Sequence, residues 1–96
     1  MVAMTKLSDA EITAGLSALP GWDREGDEIV KTFDCGTFAA AIAFVVRIGF
    51  FAERADHHPD LDVRWKRVKV ALTTHDAGGL TSNDFDLATQ IEGIGA

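Results

Sequence analysis

The chain has 96 residues, 47% hydrophobic and 25% charged, with a formal net charge of -6. That is a globular composition with room for one core, a single domain over 1–96, and its charge opposes a polyanionic partner, so no direct nucleic-acid contact is expected. A single cysteine, Cys35, excludes an intrachain disulfide and a zinc site built on several thiolates; with no apolar signal region in MVAMTKLSDAE, the expected location is cytoplasmic.

Ser8 is a candidate helix N-cap, Glu11 stands three residues on as its capping-box partner, and Leu7 and Ile12 have the spacing of a hydrophobic staple. Ile12, Leu16 and Leu19 form a narrow apolar stripe, and Pro20-Gly21 ends the helix. Gly26-Asp27 then separates two short extended segments. This predicts a hairpin in which Ile29, Phe33 and Cys35 share one parity and Val30 and Thr32 the other. Gly36-Thr37 breaks it, with Thr37 capping a long helix from about Phe38 to Asp56 that the restriction imposed by Pro59 helps to end.

Within that helix FAAAIAFVVRIGFFA, residues 38–52, falls short of the roughly 20 residues that a bilayer needs and is interrupted by Arg47. It reads as a buried core helix, and no membrane partner is expected. Apolar side chains cover most of its circumference until Glu53, Arg54 and Asp56, so it needs cover on more than one side, by a sheet and by a second subunit.

VRWKRVKVALTTH, residues 63–75, reads as one strand. Val68, Val70 and Leu72 point one way; Trp65, Arg67, Lys69, Ala71 and Thr73 point the other, with His75 on this second side. After the loop DAGG, Thr81 caps the last helix with Asp84 as capping partner. Leu87, Ala88, Ile91 and Ile94 give its apolar stripe, and Phe85 lies at its edge. The order α-β-β-α-β-α predicts a small α+β domain, an antiparallel sheet with helices packed on one face.

All three histidines lie in DHHPDLD, 56–62, and THD, 74–76. His57 and His58 follow a helix end and His75 a strand end, places where a rigid scaffold presents side chains to ligands. Imidazole gives and takes protons near neutral pH, and Glu53, Asp56, Asp60 and Asp76 flank the three as groups able to fix a tautomer. Surface histidines in acidic loops, proton transfer and metal binding all remain open. Adjacent histidines rarely aim both rings at one ion, and no H-x-x-x-H pair exists, which weighs against the metal. Trp22 reads as a stacking wall for a flat heteroaromatic ligand or as a plug at the sheet edge. Thr73 and Thr74 read as hydroxyl donors to a ligand or as ordinary strand residues. There is no G-x-G-x-x-G, P-loop or serine elbow, and Cys35 is far in sequence from any histidine.

The ordered set Glu53, His57-His58-Pro59, Trp65, Thr74-His75, Gly79-Leu80-Thr81 and Asp84, with Gly21-Trp22 upstream, resembles the pterin-4a-carbinolamine dehydratases over about residues 7 to 94. The chain differs from the usual pattern at Leu61 and Trp65, where an aromatic and a tyrosine are common, and at Asn83, where some relatives have a basic residue. The resemblance implies dehydration of a 4a-hydroxytetrahydropterin to the quinonoid dihydropterin, with no metal and no organic cofactor. His57 and His75 would be acid and base in unassigned order, and His58 would orient the pterin. Trp22 would wall the ring, Glu53 and Asp56 would support the geometry, and Pro59, Thr73, Thr74 and Asp84 would complete the substrate site. It also implies a homodimer or homotetramer. The alternative implied by the same resemblance is a non-catalytic protein-binding or assembly module.

Overall fold

All three predicted N-caps form. The computed structural model describes residues 5–95; residues 1–4 and 96 of the expected single domain lie outside the described residues. The Ser8 hydroxyl accepts the Glu11 amide while the Glu11 carboxylate accepts the Ser8 amide, starting α1 (Asp9–Leu16). α1 stops before Pro20: the Ser17 hydroxyl donates back to the Ala14 carbonyl, and a turn carries Leu19 into the core. β1 (Asp23–Glu25) and β2 (Glu28–Asp34) form the expected hairpin, with Gly26 at φ 62°. Thr37 caps α2 (Phe38–Ala55) by accepting the Ala40 amide.

The strand expected over 63–75 is two strands. β3 (Asp60–Arg64) and β4 (Arg67–Leu72) pair antiparallel, with Arg64 opposite Arg67 across a turn at Trp65-Lys66. Trp65 takes φ 53°, a left-handed conformation that a bulky residue adopts only under tertiary constraint. It therefore stands at a turn, not in mid-strand. A short 3₁₀ turn (His75–Ala77) and α3 (Ser82–Ile94) follow, the latter opened by the Thr81–Asp84 capping box.

The sheet is antiparallel throughout, in the order β1-β2-β4-β3. Ile29 lies opposite Leu72 and Phe33 opposite Val68, so the buried parities of β2 and β4 meet on one face. Against that face α2 sets Ala41, Phe44, Ile48 and Ala52, and α3 sets Leu87, Ala88 and Ile91. The α+β class with helices on one face stands as predicted.

Candidate active site

The two histidine stretches are brought together by the ends of α2 and β4. At the end of α2 the His57 amide donates to the Ala52 carbonyl at 3.1 Å and the Asp56 amide to the Glu53 carbonyl at 3.2 Å. That is a Schellman closure, with Asp56 at φ 49° where glycine is usual. It turns the chain sharply, so His57 leaves the helix axis. At the end of β4, Thr74 and Gly79 exchange backbone hydrogen bonds at 3.2 and 3.3 Å, closing a loop that presents His75, with Gly78 left-handed at φ 74°.

Asp56, His57, His58, Thr73, Thr74, His75 and Asp76 line one open cleft of about 200 Å³. All three histidines are therefore on one wall system, which their sequence separation left open. The His57 side chain is 11% exposed, with Nε2 at 2.6 Å from Asp84 Oδ1. His58 is far more open at 62%, its Nε2 at 3.2 Å from Glu53 Oε1. His75 is exposed. A second cleft, about 310 Å³, shares Thr73 and His75 with the first and continues to Asp27, Glu28, Gly78 and Gly79. Sequence reasoning missed Asp27 and Glu28. Their one signal, Gly26-Asp27, reads only as a turn until the Thr73 hydroxyl is seen donating to the Asp27 carbonyl at 2.6 Å.

Several expected contacts are corrected. Trp22 lines neither cleft: it is 4% exposed, packs edge-on against Phe33 at 6.1 Å, and donates its indole N–H to Glu92 at 2.8 Å. The plug reading holds in this chain, because the apolar ring and its one donor are both satisfied inside. Asp84 is wholly buried beneath His57, so its carboxylate meets His57 and not a ligand. Glu53 and Pro59 do not line the cleft either; Glu53 reaches it only through His58. Thr73 and Thr74 do line it, but not as donors. The Thr73 hydroxyl hydrogen goes to Asp27 and that of Thr74 to Asp84 at 2.8 Å, so toward a ligand they present oxygen lone pairs only.

Cys35 is not a nucleophile candidate. Burial, and secondarily the neighbouring Asp34 charge, push its thiol above the usual range, which disfavours the thiolate. Among the described residues, no three His, Cys, Asp or Glu side chains converge as a metal-binding group. What the cleft offers is imidazole at three positions beside carboxylates, a set suited to moving protons at a small polar ligand.

Residues 5–94 match the family model described as Pterin 4 alpha carbinolamine dehydratase. A Roseiflexus sp. (strain RS-1) protein named "Putative pterin-4-alpha-carbinolamine dehydratase" is 62% identical over 94% of this chain and 97% of its own. A Chloroflexus aurantiacus (strain ATCC 29366 / DSM 635 / J-10-fl) protein of the same name is 56% identical over 95% and 98%. The crystal structure of a transcriptional coactivator/pterin dehydratase from Brucella melitensis superposes with a TM-score of 0.92 at 31% identity, covering 96% of this chain and all of that one.

Proposed function

The chain belongs to the pterin-4a-carbinolamine dehydratase family, and on that premise we propose that it dehydrates a 4a-hydroxytetrahydropterin to the quinonoid dihydropterin by histidine acid–base catalysis. The observation that carries this reading is the convergence of His57, His58 and His75 on one cleft from two separate elements. Elimination across the C4a–N5 bond needs one group to protonate the departing 4a-hydroxyl and another to accept the N5 proton. His57 and His75, which line the cleft together with Thr73 and Thr74, take those two parts, and His58 with Asp56 holds the pterin. Glu53 acts behind His58, and the Thr73 and Thr74 oxygens accept from the ring's N–H groups. The reaction so written uses no resident metal or organic cofactor.

Turnover of freshly generated 4a-hydroxytetrahydropterin by the purified protein tests the reading. His57→Ala and His75→Ala should each lower the dehydration rate by roughly 10²-fold or more while the circular dichroism spectrum is kept. Near-normal rates in both variants would sink the assignment.

A second reading, a protein-binding or assembly module, is favoured by one observation: Phe38, Ile42, Val46 and Phe50 stand exposed along α2. In the reading preferred here a second copy of the chain covers that stripe, as a homodimer or homotetramer. No turnover, together with a specific foreign partner held by this stripe, would instead establish the module.

A further inference from the structure

We propose that Asp84 is a positioning residue that acts through His57, holding the imidazole as the Nε2–H tautomer and turning Nδ1 into the cleft as the proton acceptor. This rests on the dehydratase reading and settles the order that reading leaves open. The hydrogens around Asp84 can be placed one by one. Its Oδ2 takes the Thr81 amide at 2.9 Å and the Thr74 hydroxyl at 2.8 Å. Thr74 has one hydroxyl hydrogen, and it points at Asp84; in the 2.8 Å contact between the two threonine hydroxyls, Thr81 is therefore the donor. Thr81 Oγ1 in turn accepts the Asn83 amide at 3.3 Å. The chain Thr81 to Thr74 to Asp84 thus runs in one direction, and Asp84 is its acceptor terminus.

A carboxylate that collects two donors on one oxygen, with no exposure to water, is set to accept on its other oxygen as well. There the partner is His57 Nε2 at 2.6 Å. In the neutral ring the proton then sits on Nε2, and Nδ1 keeps its lone pair. Among the described residues no group bonds Nδ1 and no buried side-chain nitrogen or oxygen lacks a partner, so Nδ1 is not sealed in the core, and the ring that carries it lines the cleft. It takes the proton from N5 of the pterin. The N5 electron pair closes the C4a=N5 bond, and the C4a–O bond breaks with its pair on oxygen. The oxygen leaves as water with a proton from His75. Solvent returns the proton from His57 to His75, so the cycle balances. The imidazolium formed at His57 faces the Asp84 carboxylate, as a buried Asp behind a catalytic histidine requires.

The role differs from substrate binding in what it moves. ¹⁵N-resolved NMR of the ligand-free protein should show His57 as the Nε2–H tautomer when neutral. In Asp84→Asn the side-chain amide can donate to Nε2, so the Nε2–H form should be lost and kcat should fall by about 10²-fold, as for a mis-set reacting group. KM should stay unchanged, since the carboxylate touches no substrate. A wild-type Nδ1–H tautomer, an unaltered kcat in Asp84→Asn, or a raised KM at constant kcat would each overturn the proposal. If Asp84→Asn fails to fold, the wild-type tautomer decides alone. The NMR measurement needs no pterin, so the two claims fail separately. An Nε2–H ring in a protein without turnover removes the dehydratase and keeps the arrangement; turnover with an Nδ1–H ring does the reverse.

Discussion

Trp22 shares Glu92 with Lys31. The carboxylate accepts the indole N–H at 2.8 Å and the Lys31 ammonium, which also donates to the Pro20 carbonyl at 3.1 Å and lies 4.8 Å from the Phe33 ring centroid. One residue thus ties the entry of the first hairpin to the last turn of α3. Trp22→Phe removes the indole donor while Lys31 keeps Glu92 satisfied, so the expected cost is about 2 kcal/mol in urea unfolding, the scale of a hydrogen bond to a charged acceptor. KM for the pterin should not move. A raised KM at undiminished stability would return the ring to the substrate. At this scale the sequence is legible for what a residue can do and silent on what it meets. Asp84 is readable as a capping partner because its amide target lies three residues away. Its contact with His57, 27 residues distant, depends on the Asp56 closure that swings the imidazole inward. Nothing local announces that closure, since glycine is the usual signal and aspartate stands there.

The elements follow local chemistry wherever that chemistry is self-contained. Ser8, Thr37 and Thr81 cap their helices because a short hydroxyl beside free amides needs no distant partner. The turn at Trp65-Lys66 has no glycine, proline or asparagine, so alternation continued through it and two strands read as one. Pairing with β2 on one side and β3 on the other forces the reversal, and a bulky residue accepts φ 53° as a result. The cap of α1 carries a pH signature. The Ser8 amide, and then its hydroxyl, hold the Glu11 carboxyl below its usual value. A carboxyl lowered in the folded state stabilises above its unfolded value, and that contribution is lost as the pH falls through the lowered one. Ser8→Ala should therefore lower the urea midpoint at neutral pH. The gap to the wild type should narrow as the pH is taken from about 6 to about 3, because the part of the Glu11 stabilisation that the Ser8 hydroxyl supplies exists only in the wild type and is lost as Glu11 is protonated. A gap that is constant across that range would mean that the Ser8 hydroxyl does not act on the Glu11 carboxyl.

For the whole molecule the unresolved demand is α2. Its inner face meets the sheet and α3 through Ala41, Phe44, Ile48 and Ala52. Its outer face carries Phe38, Ile42, Val46 and Phe50 at intervals of four, with Phe50 70% exposed. Residues so spaced lie on one side of a helix, and a contiguous apolar stripe of this kind on a small domain marks an interaction surface. The excess of apolar residues was visible in the sequence; which part of the circumference stays uncovered was not, because that depends on where the sheet and α3 settle. A self-complementary helix stripe is the usual material of a two-fold contact between copies, in which each helix covers the other. Arg47 beside the stripe and Glu53 and Arg54 beyond it remain exposed, so the apolar patch is bounded by charge at its C-terminal end. Val46→Glu places a charge at the middle of the patch, where pairing two copies would bury it without a partner. The wild type should sediment as a multimer and Val46→Glu as a monomer with its fold intact. Val46 lies outside both clefts, so monomer formation reads out the stripe and not the site. A wild-type protein that is monomeric at concentrations of about 100 μM, well above the micromolar Kd of a weak specific interface, would show that α2 does not pair with itself.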